Sequence, residues 1–314
     1  MTAKRALVTG GAGFIGANLV RRLVDDGHEV HPVVGPGTNA WRLGGLGLPC
    51  HVTDLTDAGA VDALLESVRP DWVFHLAAHG AYSWQTDTRR IIAVDVGGAA
   101  NLLESSLAVG FEAFVNAGSS SEYGEKTDAP REDEAVDPNS VYAAAKAAAT
   151  MLLRHASISR EVPITTLRLY SAYGPWEDRR RLIPSLVLRG LDGELPPLVD
   201  PLVARDFVYV GDVVEAFVRA AQTELPSGTV LNIASGVQTT IEEAVAVARE
   251  VLGVEEAPSW GSLPQRIWDT STWVGDPSKA AELLDWRAGV SLEEGFRAAV
   301  DWAREGGWSP TVAP

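Results

Sequence analysis

A single cysteine, Cys50, stands in 314 residues. No internal disulfide can form, and a small stapled secreted scaffold is excluded. No stretch approaches the roughly 20 apolar residues that a membrane-spanning helix needs, and the opening "MTAKRALVTGG" carries no long apolar segment with a small-residue cleavage site. The expected setting is a reducing cytoplasm, with no membrane partner. Positive charge is scarce: 26 Lys plus Arg against 42 Asp plus Glu leave a net charge of −16, and the basic residues form no long stripe, which argues against nucleic acid as a partner. An anionic small ligand stays compatible with this balance, because a few arginines in one cleft outweigh distant, screened surface charge. No metal-ligand spacing, internal repeat or low-complexity segment is apparent.

What is present is an ordinary globular composition, 46% hydrophobic and 22% charged, long enough for one large unit or two packed ones. Short apolar runs recur at 5–9, 29–34, 49–54, 71–78, 111–119 and 164–170. Helical spacing recurs at 14–26, 58–68, 97–108 and 141–156. Strands apolar on both faces, alternating with helices, predict an α/β fold with a doubly wound parallel sheet of Rossmann type. Residues 1–170 form its dinucleotide-binding part and 171–314 a smaller substrate-binding part, with the chain returning to the sheet near 205–235. In the second half a strand-like "RDFVYV", a helix from 212 and helices near 240–252 and 292–304 are expected.

"VTGGAGFIG" places Gly10, Gly13 and Gly16 directly after the first strand, with Phe14 and Ile15 opening a helix. Glycine permits the tight turn and close backbone approach to a pyrophosphate, and the helix start offers free N–H donors and the positive end of its dipole. At the end of the second strand Val34 and Gly35 occupy the place of an acid that would grip the adenosine ribose, so NADP is favoured over NAD. Thr38, Asn39 and Arg42 are candidates to meet a 2′-phosphate, and Arg42 has an equally good reading as an ordinary surface residue. Asp54 and Leu55, after the third strand, border the adenine.

In "NSVYAAAKAAA" Tyr142 and Lys146 share one helix face. A neighbouring ammonium favours tyrosinate, which predicts a phenol pKa below its usual value of about 10 and a group able to exchange a proton near neutrality. Upstream, "VNAGSSSEYG" ends an apolar run in Ser119, Ser120 and Ser121, hydroxyls suited to hydrogen-bond a reacting oxygen.

With "TGGAGFIG", "HLAA", "SSSEYG", "YAAAK", "RLYSAYGP" and "RDFVYVGDV" in this order, the sequence resembles the extended short-chain dehydrogenase/reductase family, in particular its nucleotide-sugar epimerases, dehydratases and ketoreductases. The resemblance implies an enzyme with NAD or NADP, a nucleoside-diphosphate-sugar substrate and a homodimer formed through helices. It implies Tyr142 as acid/base, Lys146 on the nicotinamide ribose and Ser119 on the reacting oxygen, with Ser120 as fallback. Ala77 and Ala78 would line the cofactor, and Tyr170 and Ser171 would sit by nicotinamide and sugar. Arg205 and Arg266 would contact the diphosphate. Arg181 would do likewise, although the Arg179–Arg181 run reads more readily as a solvated charge cluster. Tyr82, Ser83 and Trp84 would shape the sugar pocket, with rim or core packing equally open to Trp84.

Departures from the family pattern sharpen the reading. The 4,6-dehydratases carry one or two carboxylates directly after the catalytic Ser/Thr, where this chain has Ser120 and Ser121. Glu122 comes one place later, on the opposite face of an extended segment. Asp95 and Ser171 replace family asparagines. The expected chemistry is hydride transfer at C4 of a nucleotide sugar, a 4-ketoreductase ahead of a 4-epimerase. The alternatives are a 4,6-dehydratase, a carbonyl reductase of a non-nucleotide small molecule and a non-catalytic Rossmann binding protein.

Overall fold

The computed structural model describes residues 2–82, 84–264 and 269–308. The first half of the chain alternates as its apolar periodicity predicts. β1 (Arg5–Thr9) leads to α1 (Phe14–Asp25), β2 (Glu29–Val34), β3 (His51–Val52), α2 (Ala58–Val68) and β4 (Trp72–His75). A long helical stretch follows as α3 (Thr88–Ile92), a π-helical turn Ala93–Gly97 and α4 (Gly98–Val109). Then come β5 (Ala113–Ser119), α5 (Val141–Arg160) and β6 (Ile164–Leu169).

In the second half, β7 (Ser171–Tyr173), α6 (Leu182–Leu191), β8 (Ala204–Arg205) and β9 (Phe207–Tyr209) precede α7 (Val210–Gln222) and β10 (Val230–Ile233). The chain continues through β11 (Thr239–Thr240), α8 (Ile241–Leu252), α9 (Ser278–Leu284) and α10 (Leu292–Arg304).

Seven strands form one parallel sheet in the order β10-β6-β5-β4-β1-β2-β3. All four residues of β4 are buried, and so are the first six of β5. Both faces are covered, which is what an uninterrupted apolar run in a parallel sheet requires. The order reverses between β1 and β4, and this is where a doubly wound sheet opens a crevice at its carboxyl edge. β3 is shorter than the run 49–54 suggested: only His51 and Val52 pair, at the sheet's edge, with Val52 68% exposed. Thr88–Val109 is by length and composition apolar enough to cross a membrane, unlike the expectation for this chain. Its Leu102 and Leu103 are buried in the cluster that also holds Val61, Leu65 and Phe114, which accounts for the apolar composition by core packing.

Beyond β6, α7 lies against α1, with Arg22 and Glu215 paired at 2.7 Å, and β10 completes the sheet. The helix of "RDFVYVGDV" begins at Val210, two residues ahead of expectation, and Asp206 separates β8 from β9. The remaining elements pack around Tyr173, Ile183, Leu186, Phe296 and Trp308. Asp206, fully buried, ties the β8–β9 junction to the segments after β10 and before α9 by accepting from Ser235 N and Oγ, Gly236 N and Gly275 N at 2.6 to 3.1 Å.

Candidate active site

Three features build the phosphate loop. Gly10 has φ +66°, and a Cβ there would stand 2.7 Å from Ala77 N. A Cβ on Gly16 would stand 2.2 Å from the Gly10 carbonyl oxygen. Gly13, in contrast, is exposed and precedes α1 as its N-cap without any side-chain hydrogen bond. The first N–H groups of Phe14 and Ile15 therefore have no side-chain cap, whereas α2 and α5 are capped by Asp57 and Ser140. A backbone cradle at an uncapped helix start fits a pyrophosphate, so these residues suit a dinucleotide.

Thr38 and Asn39 are exposed beyond β2, Asn39 accepting from Trp41 N at 3.0 Å. The Arg42 guanidinium is held by two backbone carbonyls, donating to Trp176 O (2.6 Å) and Ala12 O (3.3 Å). Asp54 accepts from Thr56 N and Oγ1 and faces Arg90 at 3.6 Å, and these contacts lower its pKa. Leu55 is buried. Ala77 donates its N–H to Thr9 Oγ1, while Ala78 is exposed. His75 at the end of β4 was not singled out from sequence. It is buried against Thr9 Oγ1 at 2.8 Å and pushed down to about 3, so it stays neutral.

The catalytic candidates converge. Ser119 ends β5 and its hydroxyl acts on the Tyr142 phenol, while Lys146 is 4% exposed one turn further along α5. Ser119 Oγ also meets Ser121 Oγ at 2.7 Å. The Tyr142 phenol departs from the expected direction: desolvation raises its pKa, the Asp95 carboxylate raises it further, and the Ser119 hydroxyl and the Arg181 guanidinium oppose them. Lys146 is lowered by desolvation, against the pull of Asp95 and Glu122. Burial outweighs the single charge that sequence spacing made visible.

Glu122 also differs from expectation. Residues 120–123 form a 3-10 turn, because Ser119 and Glu122 make a capping box in which the carboxylate accepts Ser119 N at 2.8 Å. This draws Glu122 inward to full burial, where it accepts from Thr150 Oγ1 (3.0 Å) and pairs with Arg168 (2.9 Å). Arg168 in turn covers the Tyr123 ring at 4.4 Å.

Ser120 and Tyr170, both 7% exposed, line a small cleft with Tyr123, Lys126, Thr272 and Trp273. Ser171 is half-buried beside it in sequence, its N–H on Asp206 O. Arg205 pairs with Asp269 at 2.6 Å and lies 5.7 Å from the Trp273 ring centre. Across the crevice Tyr82 stacks on Trp84 at 4.5 Å. Arg180 covers Trp84, and Arg181 covers Tyr82 while donating to Ala81 O at 3.1 Å. Trp84 is thus a rim residue, 54% exposed, and Arg181 bridges two loops. Ser83 and Arg266 lie outside the described residues.

Residues 6–234 match the NAD dependent epimerase/dehydratase family. The UDP-glucose 4-epimerase of Mycolicibacterium smegmatis is 32% identical over 96% of this chain and 98% of its own length. The dTDP-glucose 4,6-dehydratase of Streptomyces griseus is 28% identical over 98% of this chain and 96% of its own. Among solved structures, the Thermus thermophilus UDP-glucose 4-epimerase in complex with NAD superposes with TM-score 0.86 at 32% identity, covering 96% of this chain and 99% of that one. The chain belongs to the NAD dependent epimerase/dehydratase family, enzymes of the extended short-chain dehydrogenase/reductase type.

Proposed function

We propose that this enzyme transfers hydride at C4 of a nucleoside-diphosphate sugar without expelling water, as a 4-ketoreductase in preference to a 4-epimerase. The observation that carries the reading is the commitment of Glu122. Ser120 and Ser121 follow Ser119 with no carboxylate, and the nearest one is tied to Ser119 N, Thr150 and Arg168. Eliminating water needs a positioned acid and base beside the sugar, and this turn offers only hydroxyls.

Gly10, Gly13 and Gly16 with the start of α1 would hold the pyrophosphate, and Thr38 and Asn39 would face the adenosine ribose. A bound nicotinamide dinucleotide supplies the hydride. Tyr142 gives the proton to the carbonyl oxygen, Ser119 donates a hydrogen bond to the developing alkoxide, and Lys146 holds the nicotinamide ribose. Arg205, steadied by Asp269, would meet the diphosphate. Residues 35–47 contain no acid that would repel a 2′-phosphate, which supports NADPH; the committed guanidinium of Arg42 adds nothing to that preference.

The epimerase reading draws on the names of the relatives at 32% identity, and it would use the same side chains in both directions. A homodimer is part of this proposal. Val141, Ala144, Ala148, Met151 and Ile158 form an exposed apolar line along α5 beside the exposed Ile92 of α3. A panel of nucleotide sugars and their 4-keto forms, incubated with and without NADPH and analysed by mass spectrometry, tests the activity. A gain of two hydrogens requiring NADPH supports reduction. Unchanged mass with altered stereochemistry would move the assignment to epimerisation, and loss of water would overturn it.

A further inference from the structure

Asp95 is a buried carboxylate that no step above uses. It sits on the π-helical turn Ala93–Gly97, 2% exposed, where the widened backbone carries its side chain into the protein beneath α5. One carboxyl oxygen accepts His79 N at 2.7 Å, and the other has no hydrogen-bond partner among the described residues. The groups acting on it are Lys146 and Tyr142 from α5 and the backbone N–H of His79 from the loop after β4; Glu122 and His75 act in turn on Lys146. No ion pair within 4.0 Å links Asp95 to Lys146 among the described residues, so its negative charge is not consumed by a direct contact. The carboxylate thus sits in a water-poor interior, where charges act at longer range than in water.

We propose that Asp95 is a positioning residue for proton transfer: its carboxylate offsets the Lys146 ammonium and thereby sets the pH at which Tyr142 parts with its proton. The inference rests on Tyr142 being the acid/base of the proposed reaction. The signs agree. A tyrosinate beside Lys146 alone is stabilised; the same tyrosinate beside a second anion is not, so Asp95 keeps Tyr142 protonated to higher pH. Asp95 is itself pushed up to about 6 by burial, against the pull of Lys146 and the His79 N–H, and therefore carries its charge above that pH.

The test compares wild type with Asp95→Asn, and with Asp95→Ser should the first variant not fold. Each is measured with bound dinucleotide in two ways: the pH profile of sugar oxidation and reduction, and the ultraviolet phenolate signal lost when Tyr142→Phe is added to the same background. Both readouts are expected to move to lower pH in the Asp95 variants, by on the order of one pH unit, with thermal stability and dinucleotide affinity little changed. Coincident profiles and phenolate midpoints would overturn the role of Asp95. Full turnover by Tyr142→Phe would instead overturn the reading on which it rests, so the two failures are distinguishable.

Discussion

Glu122 and Arg168 form a fully interior ion pair at 2.9 Å, directly behind the Ser119 turn. The carboxylate also accepts Ser119 N and Thr150 Oγ1, and the guanidinium also donates to Glu132 O. Removing either partner leaves a buried charge without compensation. Glu122→Ala and Arg168→Ala are each expected to cost about 3–5 kcal/mol, and the double variant less than the sum. Urea denaturation of the four proteins checks this, and strictly additive losses would contradict the coupling.

The proposed roles of Tyr142 and Ser119 make a separate prediction. Tyr142→Phe would remove the proposed proton donor and is expected to lower turnover by about 10²–10⁴-fold. Ser119→Ala would remove the proposed donor to the developing alkoxide, for an expected loss on the order of 10²-fold. Steady-state kinetics on the substrate identified by mass spectrometry measures both. A Ser119→Ala enzyme at wild-type rate would shift the role to Ser120.

Two glycines of the phosphate loop separate folding from binding. At Gly16 a Cβ meets the Gly10 carbonyl at 2.2 Å, so Gly16→Ala is expected to destabilise the fold by about 1–3 kcal/mol. At Gly13 the nearest atom is the same oxygen at 3.0 Å and the position is otherwise open. Gly13→Ala should keep its melting temperature and bind dinucleotide more weakly. Thermal unfolding and fluorescence titration read the two effects; equal behaviour of the two variants would contradict the assignment.

Glu177 gives the fold a pH dependence. It is buried, and desolvation pushes it from 4.5 up to about 8. The folded chain therefore holds a proton that the unfolded chain has released. The resulting stability is complete below the unfolded pKa and is lost as pH rises from 4.5 through 8, at up to about 1.4 kcal/mol per pH unit. Glu177→Gln should flatten that fall. Denaturation of both proteins across this range tests it, and parallel curves would contradict a protonated Glu177. His75 acts in the opposite sense, its contribution being lost as pH falls from 6.5 towards 3, so it does not mimic the effect.

The apolar line on α5 predicts that Met151→Glu, which places a charge on a 59%-exposed side chain in its middle, weakens self-association. Sedimentation velocity at matched concentrations reads the change, and self-association unaltered by the substitution would remove α5 as an interface.

What the sequence made legible follows from range. The phosphate loop is a local matter of backbone conformation, and Gly10, Gly13 and Gly16 announce it by spacing alone. Tyr142 and Lys146 are one helical turn apart, so their shared face follows from the helix period. The missed features depend on partners far along the chain. Glu122 turns inward because Arg168 and Thr150 await it, Arg42 is drawn to Trp176, and the proton affinity of Tyr142 is governed by burial, by Asp95 and by Ser119. The edge strand β3 shortens because only β2 offers it partners.

The proposed reaction moves one hydride and one proton and expels no water. Turnover of a 4-keto nucleotide sugar in deuterated water, with NADPH deuterated at the transferring position, is its sharpest test. The predicted product carries the cofactor's deuterium at C4, acquires no solvent deuterium on carbon and keeps every oxygen. Solvent deuterium on the neighbouring ring carbon together with loss of an oxygen would contradict the account.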